Sequence, residues 1–445
     1  MTQTAEQNPP CSLSRERDGH LAKNTLWIFM GQIGWQCLRA GYFLIIARSL
    51  GPAHYGAFIG VVALVAMLAP FSSLGTAGLL IKNVSRNRAV FNAYWGNALV
   101  TLFGSGSLLT LLALALCRIV LPADTPIRLI VCVMVADLIF ARLLDVSASA
   151  FQAFDRLNMT ATLYTLGGLC RLLAAVILVL VFKEPSASSW AVLYLISAAI
   201  SAGIAVTAVK RQLGSPTLAL RLIRSEAKEG LYFSCAQAAE NIYNDLDKTM
   251  LTALSTLQAA GIYAVAYRVI EAVFVPVNSL LWASYARFFV KGAGGIHGST
   301  RYAKRLLSHA GGYSVVVSLG LVAVAPLLPR ILGPQYQSSA EALRWLAPIL
   351  VLRTVHRFYA NSLTGAGFQG TRTVTQAGVA VFNVLLNLWL IPAYSWRGAA
   401  WSSLASDSLL LVSAVLIVSR LTVVGRQTDG IQQDVRSPVP EVSIP

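Results

Sequence analysis

Charge is scarce in this 445-residue chain: only 12% of its residues are Asp, Glu, Lys or Arg, while 56% are apolar. Soluble domains carry about 25% charged residues, and a water-soluble fold of this length needs more polar surface than that fraction supplies. Acidic residues are rarest, with 19 Asp and Glu against 35 Lys and Arg, a net charge of +16. Cysteine is sparse as well. The six cysteines, Cys11, Cys37, Cys117, Cys132, Cys170 and Cys235, form no C-x-x-C pair, and five sit in apolar runs. They read as small buried side chains rather than as disulfides or a metal centre. The sequence also lacks G-x-x-x-x-G-K-[ST] and H-E-x-x-H, the signatures of a phosphate-cradling loop and of a zinc protease. Gly365-Ala366-Gly367-Phe368-Gln369-Gly370 does spell G-x-G-x-x-G, but a helical apolar run precedes it and Leu390 stands where a ribose-binding acid would be needed. The glycine-rich stretch 292–298 fits no phosphate loop and reads as a flexible connection. No cofactor and no enzymatic activity are expected.

What the chain does contain is long apolar runs. About 20 apolar residues cross a bilayer as a helix, and twelve runs meet that length: 25–47, 57–77, 92–119, 127–148, 160–182, 189–209, 230–255, 262–286, 312–331, 340–363, 374–391 and 398–419. The expected fold is all-α, a polytopic membrane protein of twelve transmembrane helices in two six-helix bundles. Residues 1–24 form a polar N-terminal segment with no cleavable signal pattern. The bundles cover 25–209 and 230–420, joined by a basic connection at 210–229, and 421–445 reads as a disordered tail. Two connections, 210–229 and 287–311, are long and basic. Leu218–Ile223 and Tyr302–Leu307 within them have the pattern of short amphipathic helices lying in the interface.

The basic residues orient the chain. With the N-terminus in the cytoplasm, 22 of the 35 Lys and Arg fall in inside segments and six fall outside. That bias places both termini in the cytoplasm. It accounts for most of the positive balance without nucleic acid, and leaves anionic lipid of the inner leaflet as its natural partner. Six spans precede the 210–229 connection and six follow, so any repeat is parallel. Leu50-Gly51-Pro52-Ala53-His54-Tyr55-Gly56, after span 1, and Leu257-Gln258-Ala259-Ala260-Gly261-Ile262-Tyr263-Ala264, after span 7, are similar turns at matching places.

Seven basic residues remain inside spans: Arg39, Arg171, Lys248, Arg268, Arg344, Arg353 and Arg357. Ionisable side chains are costly there and face a partner or a cavity. Span 7 places Ser234, Gln237, Asn241, Asp245, Lys248 and Thr252 on one face, with Glu240, Asn244 and Asp247 beside it. Asp245–Lys248 and Arg268–Glu271 can pair along their own helices. Span 4 carries Asp137, and Asn278 and Asn361 stand near the arginines of spans 8 and 10. Arg39, Arg171, Arg353 and Arg357 have no acid three or four positions away, so they pair between helices or bind an anion. Converging guanidiniums suit a diphosphate, because each offers a fork of donors to phosphate oxygens. Glu240, Asp245 and Asp247 are candidates for a coupling proton or cation.

Five segments, in order along the chain, give the sequence a resemblance to a known family. They are Ala47-Arg48-Ser49-Leu50-Gly51-Pro52-Ala53-His54-Tyr55-Gly56, Phe151-Gln152-Ala153-Phe154-Asp155-Arg156, Asp245-Leu246-Asp247-Lys248 with Gly261-to-Arg268, Leu332-Gly333-Pro334-Gln335-Tyr336, and Leu390-Ile391-Pro392-Ala393-Tyr394 with Arg397-Gly398-Ala399-Ala400. Over about 20–420 the chain resembles the Wzx-type polysaccharide and oligosaccharide (O-antigen) flippases of the MOP transporter superfamily. The resemblance implies alternating access between two bundles. It implies an undecaprenyl-diphosphate-linked oligosaccharide as substrate, carried from the inner to the outer leaflet of the bacterial cytoplasmic membrane, with a polysaccharide polymerase and a chain-length regulator as possible partners. It places Arg268 among the residues of a cationic cavity; Arg39, Arg171, Arg353 and Arg357 come from the helical pattern alone. The chain departs from the family at Ala283-Ser284-Tyr285-Ala286, where a proline often follows span 8. Twelve spans fit the O-antigen type better than the fourteen-span lipid II flippases. A MATE-type drug or cation antiporter is the competing transporter reading, disfavoured by the basic in-span set. A membrane glycosyltransferase or polymerase is disfavoured by the absence of large carboxylate-bearing loops.

Overall fold

The computed structural model describes residues 11–435 apart from 123 and 294, and side chains for most of 38–423. Among the described residues every regular element is helical. Fifteen α-helices are present: α1 (Cys11–Ser73), α2 (Thr76–Arg86), α3 (Phe91–Val120), α4 (Ile127–Val135), α5 (Ala141–Ala153), α6 (Leu157–Val181), α7 (Ala187–Gln212), α8 (Leu220–Leu254), α9 (Leu257–Gly292), α10 (Ile296–Val324), α11 (Leu327–Leu332), α12 (Gln337–Leu346), α13 (Ile349–Gly365), α14 (Gln369–Tyr394) and α15 (Trp396–Val435). The twelve expected spans fall mostly on helix, but 57–77, 312–331 and 340–363 each cross a short turn between two helices. Among the described residues eight helices are long and apolar enough to cross a membrane on length and composition. Large apolar side chains such as Leu111, Leu180, Leu319, Val374 and Trp389 face outward, as a lipid-solvated surface requires and a water-solvated one would not tolerate in such number. The chain is an all-α, multi-pass membrane protein.

Several boundaries differ from the sequence pattern for local reasons. Spans 1 and 2 are two helices, as expected, that meet without a loop inside α1 at Gly51, whose φ 73° and ψ 169° are not helical and suit glycine. Span 4 is α4 and α5 joined through a π-turn at Ala136–Phe140. The two stretches expected to lie as separate interfacial helices are instead absorbed: 220–223 opens α8 and Tyr302–Leu307 lies inside α10. Nothing in either sequence breaks the helix before the span begins. α15 runs on to Val435, into the stretch expected as a disordered tail, and residues 436–445 lie outside those described. The G-x-G-x-x-G segment is the α13–α14 turn, with no strand before it. Gly365 there lets the Phe288 carbonyl approach to where a Cβ would meet it at 2.4 Å, and Gly367 takes φ 87°.

By contacts the chain forms two compact units. The first comprises Met1–Leu50 with Ala57–Thr249, and the second Gly51–Gly56 with Met250–Pro445. Most of α8 therefore belongs with the first unit. The core of that unit is built around Leu80, Phe91, Trp95, Leu102, Phe151 and Leu163. Hydrogen bonds explain why α8 joins it. Pro70 has no N–H, so the Ala66 carbonyl loses its helical partner. Asn241 Nδ2 of α8 donates to that carbonyl at 2.7 Å. One turn on, Ser234 Oγ donates to the Pro70 carbonyl at 3.0 Å. At the other end Tyr94 donates to Glu226 at 2.6 Å. The polar stripe that the sequence placed on span 7 is thus used in part to satisfy backbone groups of α1.

The second unit packs α9, α10 and α13 around Phe274, Val277, Leu281, Phe288, Leu350 and Phe358, and α15 lies against α13. Pro276 interrupts the ladder of α9, and the Tyr313 hydroxyl of α10 donates to the neighbouring Val273 carbonyl at 2.8 Å. The six-residue segment 51–56 seats on the start of α9 through a reciprocal pair of glycines. A Cβ on Gly56 would lie 1.7 Å from the Leu257 carbonyl oxygen, and a Cβ on Gly261 would lie 1.9 Å from the Pro52 carbonyl oxygen. The two turns whose sequences resemble one another therefore meet face to face.

Candidate functional site

The in-span cations divide between the units. Arg39 (α1), Arg171 (α6) and Lys248 (α8) lie in the first; Arg268 (α9), Arg353 and Arg357 (α13) lie in the second. Within the second unit α9 and α13 pack side by side and carry three of the seven cations, while Arg344 lies on α12.

In the first unit, Arg171 Nη2 lies 3.4 Å from Asp137 Oδ1. Its guanidinium also stacks over the Tyr194 ring, 4.2 Å from the centroid, and the Tyr194 hydroxyl donates to Asp137 Oδ1 at 2.8 Å. Asp137 rides on the π-turn, a device that adds one residue to a helical turn and recurs at functional sites. Arg171 is therefore paired between helices, one of the two outcomes the sequence allowed. Lys248 is buried and lies 2.6 Å from Asp245 Oδ1, the i,i+3 pair expected. The neighbouring Asp247 carboxylate accepts from the Lys248 backbone N–H at 2.8 Å. Arg39 is half-buried on α1 and engaged with its surroundings. Glu240 lies outside the described side chains.

In the second unit, Arg268 Nη1 lies 2.8 Å from Glu271 Oε2, again as expected. Arg357 donates to Asn278 Oδ1 at 2.8 Å and stacks over Phe274, 5.1 Å from the ring centroid. Arg353 stacks over Tyr267 at 5.5 Å and donates to Asp407 Oδ2 at 3.1 Å. Asp407 is the residue that the sequence reading passed over. It is a lone acid in the last span, and a lone acid in an apolar run was signal enough to single it out. His356, between the two arginines of α13, was passed over as well. It lies 3.0 Å from Asp407 Oδ1 through Nε2.

The geometry shows an alternation along the α9–α13 seam. Guanidiniums from α13 reach across to aromatic rings of α9, while Asp407 and Asn278 each accept from one guanidinium N–H. A guanidinium stacked this way keeps its edge available to oxygen acceptors. Among the described residues no cluster of three or more His, Cys, Asp or Glu is placed to hold a metal ion.

Known structures share this architecture. A multidrug resistance MATE family transporter of the MOP superfamily, in its inward-facing conformation, matches with a TM-score of 0.69 at 14% identity, covering 90% of this chain and 96% of its own. The lipid II flippase MurJ in an inward closed conformation matches with a TM-score of 0.70 at 10% identity, covering 94% of both chains. A MOP superfamily transporter from Pyrococcus furiosus, described as having a binding pocket of reversed polarity, matches with a TM-score of 0.57 at 16% identity, over 89% of this chain and 95% of its own. No curated protein sequence matches. The fold is thus the one these transporters and this flippase share. Within it, residues 21–289 match the polysaccharide biosynthesis protein family, and the chain belongs to that family. The resemblance to Wzx-type flippases read from the five sequence segments is borne out.

Proposed function

We propose that the chain moves undecaprenyl-diphosphate-linked oligosaccharide repeat units from the inner to the outer leaflet of the bacterial cytoplasmic membrane, for O-antigen, capsule or exopolysaccharide, with both its termini in the cytoplasm. The observation that carries this reading is membership of the polysaccharide biosynthesis family on a multi-pass helical chain. The chemistry supports it. Arg39, Arg171 and Lys248 in the first unit and Arg268, Arg353 and Arg357 in the second are donors of the kind a diphosphate takes, and a diphosphate at any of the last five exchanges places with the oxygen that now holds it. At Arg357 the exchange replaces an amide oxygen, Asn278 Oδ1, with a charged phosphate oxygen, a stronger acceptor. Asp245, Asp247 and Glu240 remain candidates for an ion that drives the cycle. A polymerase and a chain-length regulator acting on the delivered repeat units are the natural partners.

A strain deleted for the chain should lose surface polysaccharide and accumulate the lipid-linked oligosaccharide on the inner leaflet, and re-expression should restore both. Sharing a fold with MATE transporters keeps cation antiport as the second reading. A deletion strain that becomes drug-sensitive while its polysaccharide stays normal would favour that reading and overturn the flippase.

A further inference from the structure

The second unit buries an ionic cluster in which an anion-binding role for Arg353 leaves Asp407 and His356 unexplained. Asp407 of α15 has a side chain only 2% exposed; Arg353 and His356 of α13 are 9% and 5% exposed. One carboxylate oxygen takes the guanidinium at 3.1 Å and the other takes His356 Nε2 at 3.0 Å. Carboxylate and guanidinium cancel, so with a neutral imidazole the cluster carries no net charge. With Nε2–H donating to Asp407, Nδ1 is the basic atom left on the ring.

We propose that His356, held by Asp407 and Arg353, is the site that takes up and releases the coupling proton of the transport cycle. The proposal rests on the chain being a transporter. Three observations support it. A buried ion pair is readily replaced by apolar side chains without loss of stability, so stability alone gives little reason to keep one inside an apolar bundle. Ionisable groups at such places are characteristic of proton relays. Imidazole is the side chain whose charge ordinarily changes between pH 5 and 8, and a carboxylate on one ring nitrogen fixes which nitrogen receives the proton.

The step balances simply. A proton from water adds to the Nδ1 lone pair, no other bond breaks, Asp407 stays ionised, and the cluster passes from neutral to a net single positive charge. Burial opposes that charge first, Arg353 and Arg357 on the same helix oppose it as well, and Asp407 favours it. Of the helices packed on α13, α9 also carries Tyr267, Arg268 and Glu271, α10 carries His309 and Tyr313, and α14 carries Arg372. An added charge in a dry bundle is relieved when water or an anion reaches it. Protonation therefore favours a looser α13–α15 contact, and release restores the closed one.

The test uses the purified full-length chain in nanodiscs. Hydrogen–deuterium exchange of peptides from α13 and α15 is followed from pH 5 to 8 and corrected for intrinsic exchange. The wild type should pass through a one-proton transition, with protection falling several-fold on the acid side. His356→Gln keeps a donor to Asp407 but cannot titrate, and its protection should be flat across the range; Asp407→Asn should shift or abolish the transition. A pH-independent wild type, or a transition that survives in His356→Gln, overturns the proposal. In parallel, proteoliposomes loaded with lipid-linked oligosaccharide should translocate faster under an imposed pH gradient, and His356→Gln should ignore the gradient. Translocation that proceeds in the wild type without responding to the gradient also overturns the proton site, and leaves the flippase reading intact. Absent translocation with the exchange transition intact would reject the flippase reading and retain the proton site.

Discussion

Gly56→Ala is the sharpest test of how the 51–56 segment is held. In a helix this change ordinarily stabilises by about 0.5–1 kcal/mol, because glycine loses more freedom on folding. At Gly56 the new methyl carbon would sit 1.7 Å from the Leu257 carbonyl oxygen and 2.7 Å from the Gly261 nitrogen. All three nearest atoms are backbone, so no side chain can rotate away. Ordinary contact requires about 3.4 Å, so the two segments must part by more than an ångström, across a contact that Gly261 makes equally close from the other side. Overpacking of this kind costs about 1–3 kcal/mol, and a backbone obstacle puts it at the upper end. The net expectation is a destabilisation of about 2 kcal/mol. Gly104 supplies the internal control: a Cβ there meets nothing within 4 Å, so Gly104→Ala should be neutral or slightly stabilising. Thermal unfolding in detergent reads both. The same chemical change should move the midpoint down at position 56 and leave it level or raised at 104. A Gly56→Ala protein that melts with the wild type would refute the close approach and the reciprocal seating built on it.

Other perturbations have equally definite outcomes. Asn241→Leu strips the donor from the carbonyl that Pro70 leaves without a helical partner, and should lower stability by about 1–3 kcal/mol in the same melt. Asp407→Leu leaves Arg353 buried without its counter-ion and should cost about 3–5 kcal/mol, while adding Arg353→Met should recover most of that loss; a double variant no better than the single would show that the two residues are not coupled. Tyr194→Phe removes a hydrogen bond to a charged acceptor and should cost about 1.5–3 kcal/mol, again read as a lowered melting midpoint.

Much of this molecule was legible in its sequence because the bilayer imposes a length. Twelve runs of about 20 apolar residues fall mostly on helix, and the i,i+3 pairs Asp245–Lys248 and Arg268–Glu271 close as their spacing dictates. What spacing cannot show is which distant partner a side chain meets. Arg171 and Arg353 look alike in sequence, each without a nearby acid, and each finds its acid on another helix, Asp137 and Asp407. The Asn241 stripe marks a face turned to a partner or a cavity; part of it answers a carbonyl that a proline 171 positions earlier had left without a bond. The interfacial helices expected at 218–223 and 302–307 vanish into α8 and α10 because amphipathic pattern fixes a face but not where a helix stops.

The division of the chain also carries a consequence for how it is made. Residues 51–56 are synthesised early yet belong with material that begins at Met250, and the packing of the first unit reaches forward to Thr249. A ribosome has therefore to deliver more than half of the polypeptide before the first unit has all its parts. The 51–56 turn must wait longer still for Leu257 and Gly261 to emerge. Neither unit is a contiguous stretch of the gene. Fragments cut at the loop near residue 215 and co-expressed would reassemble only by trading segments, α8 in one direction and the 51–56 turn in the other. Insertion of this protein is for that reason expected to be a late, whole-chain event rather than the sequential completion of two halves.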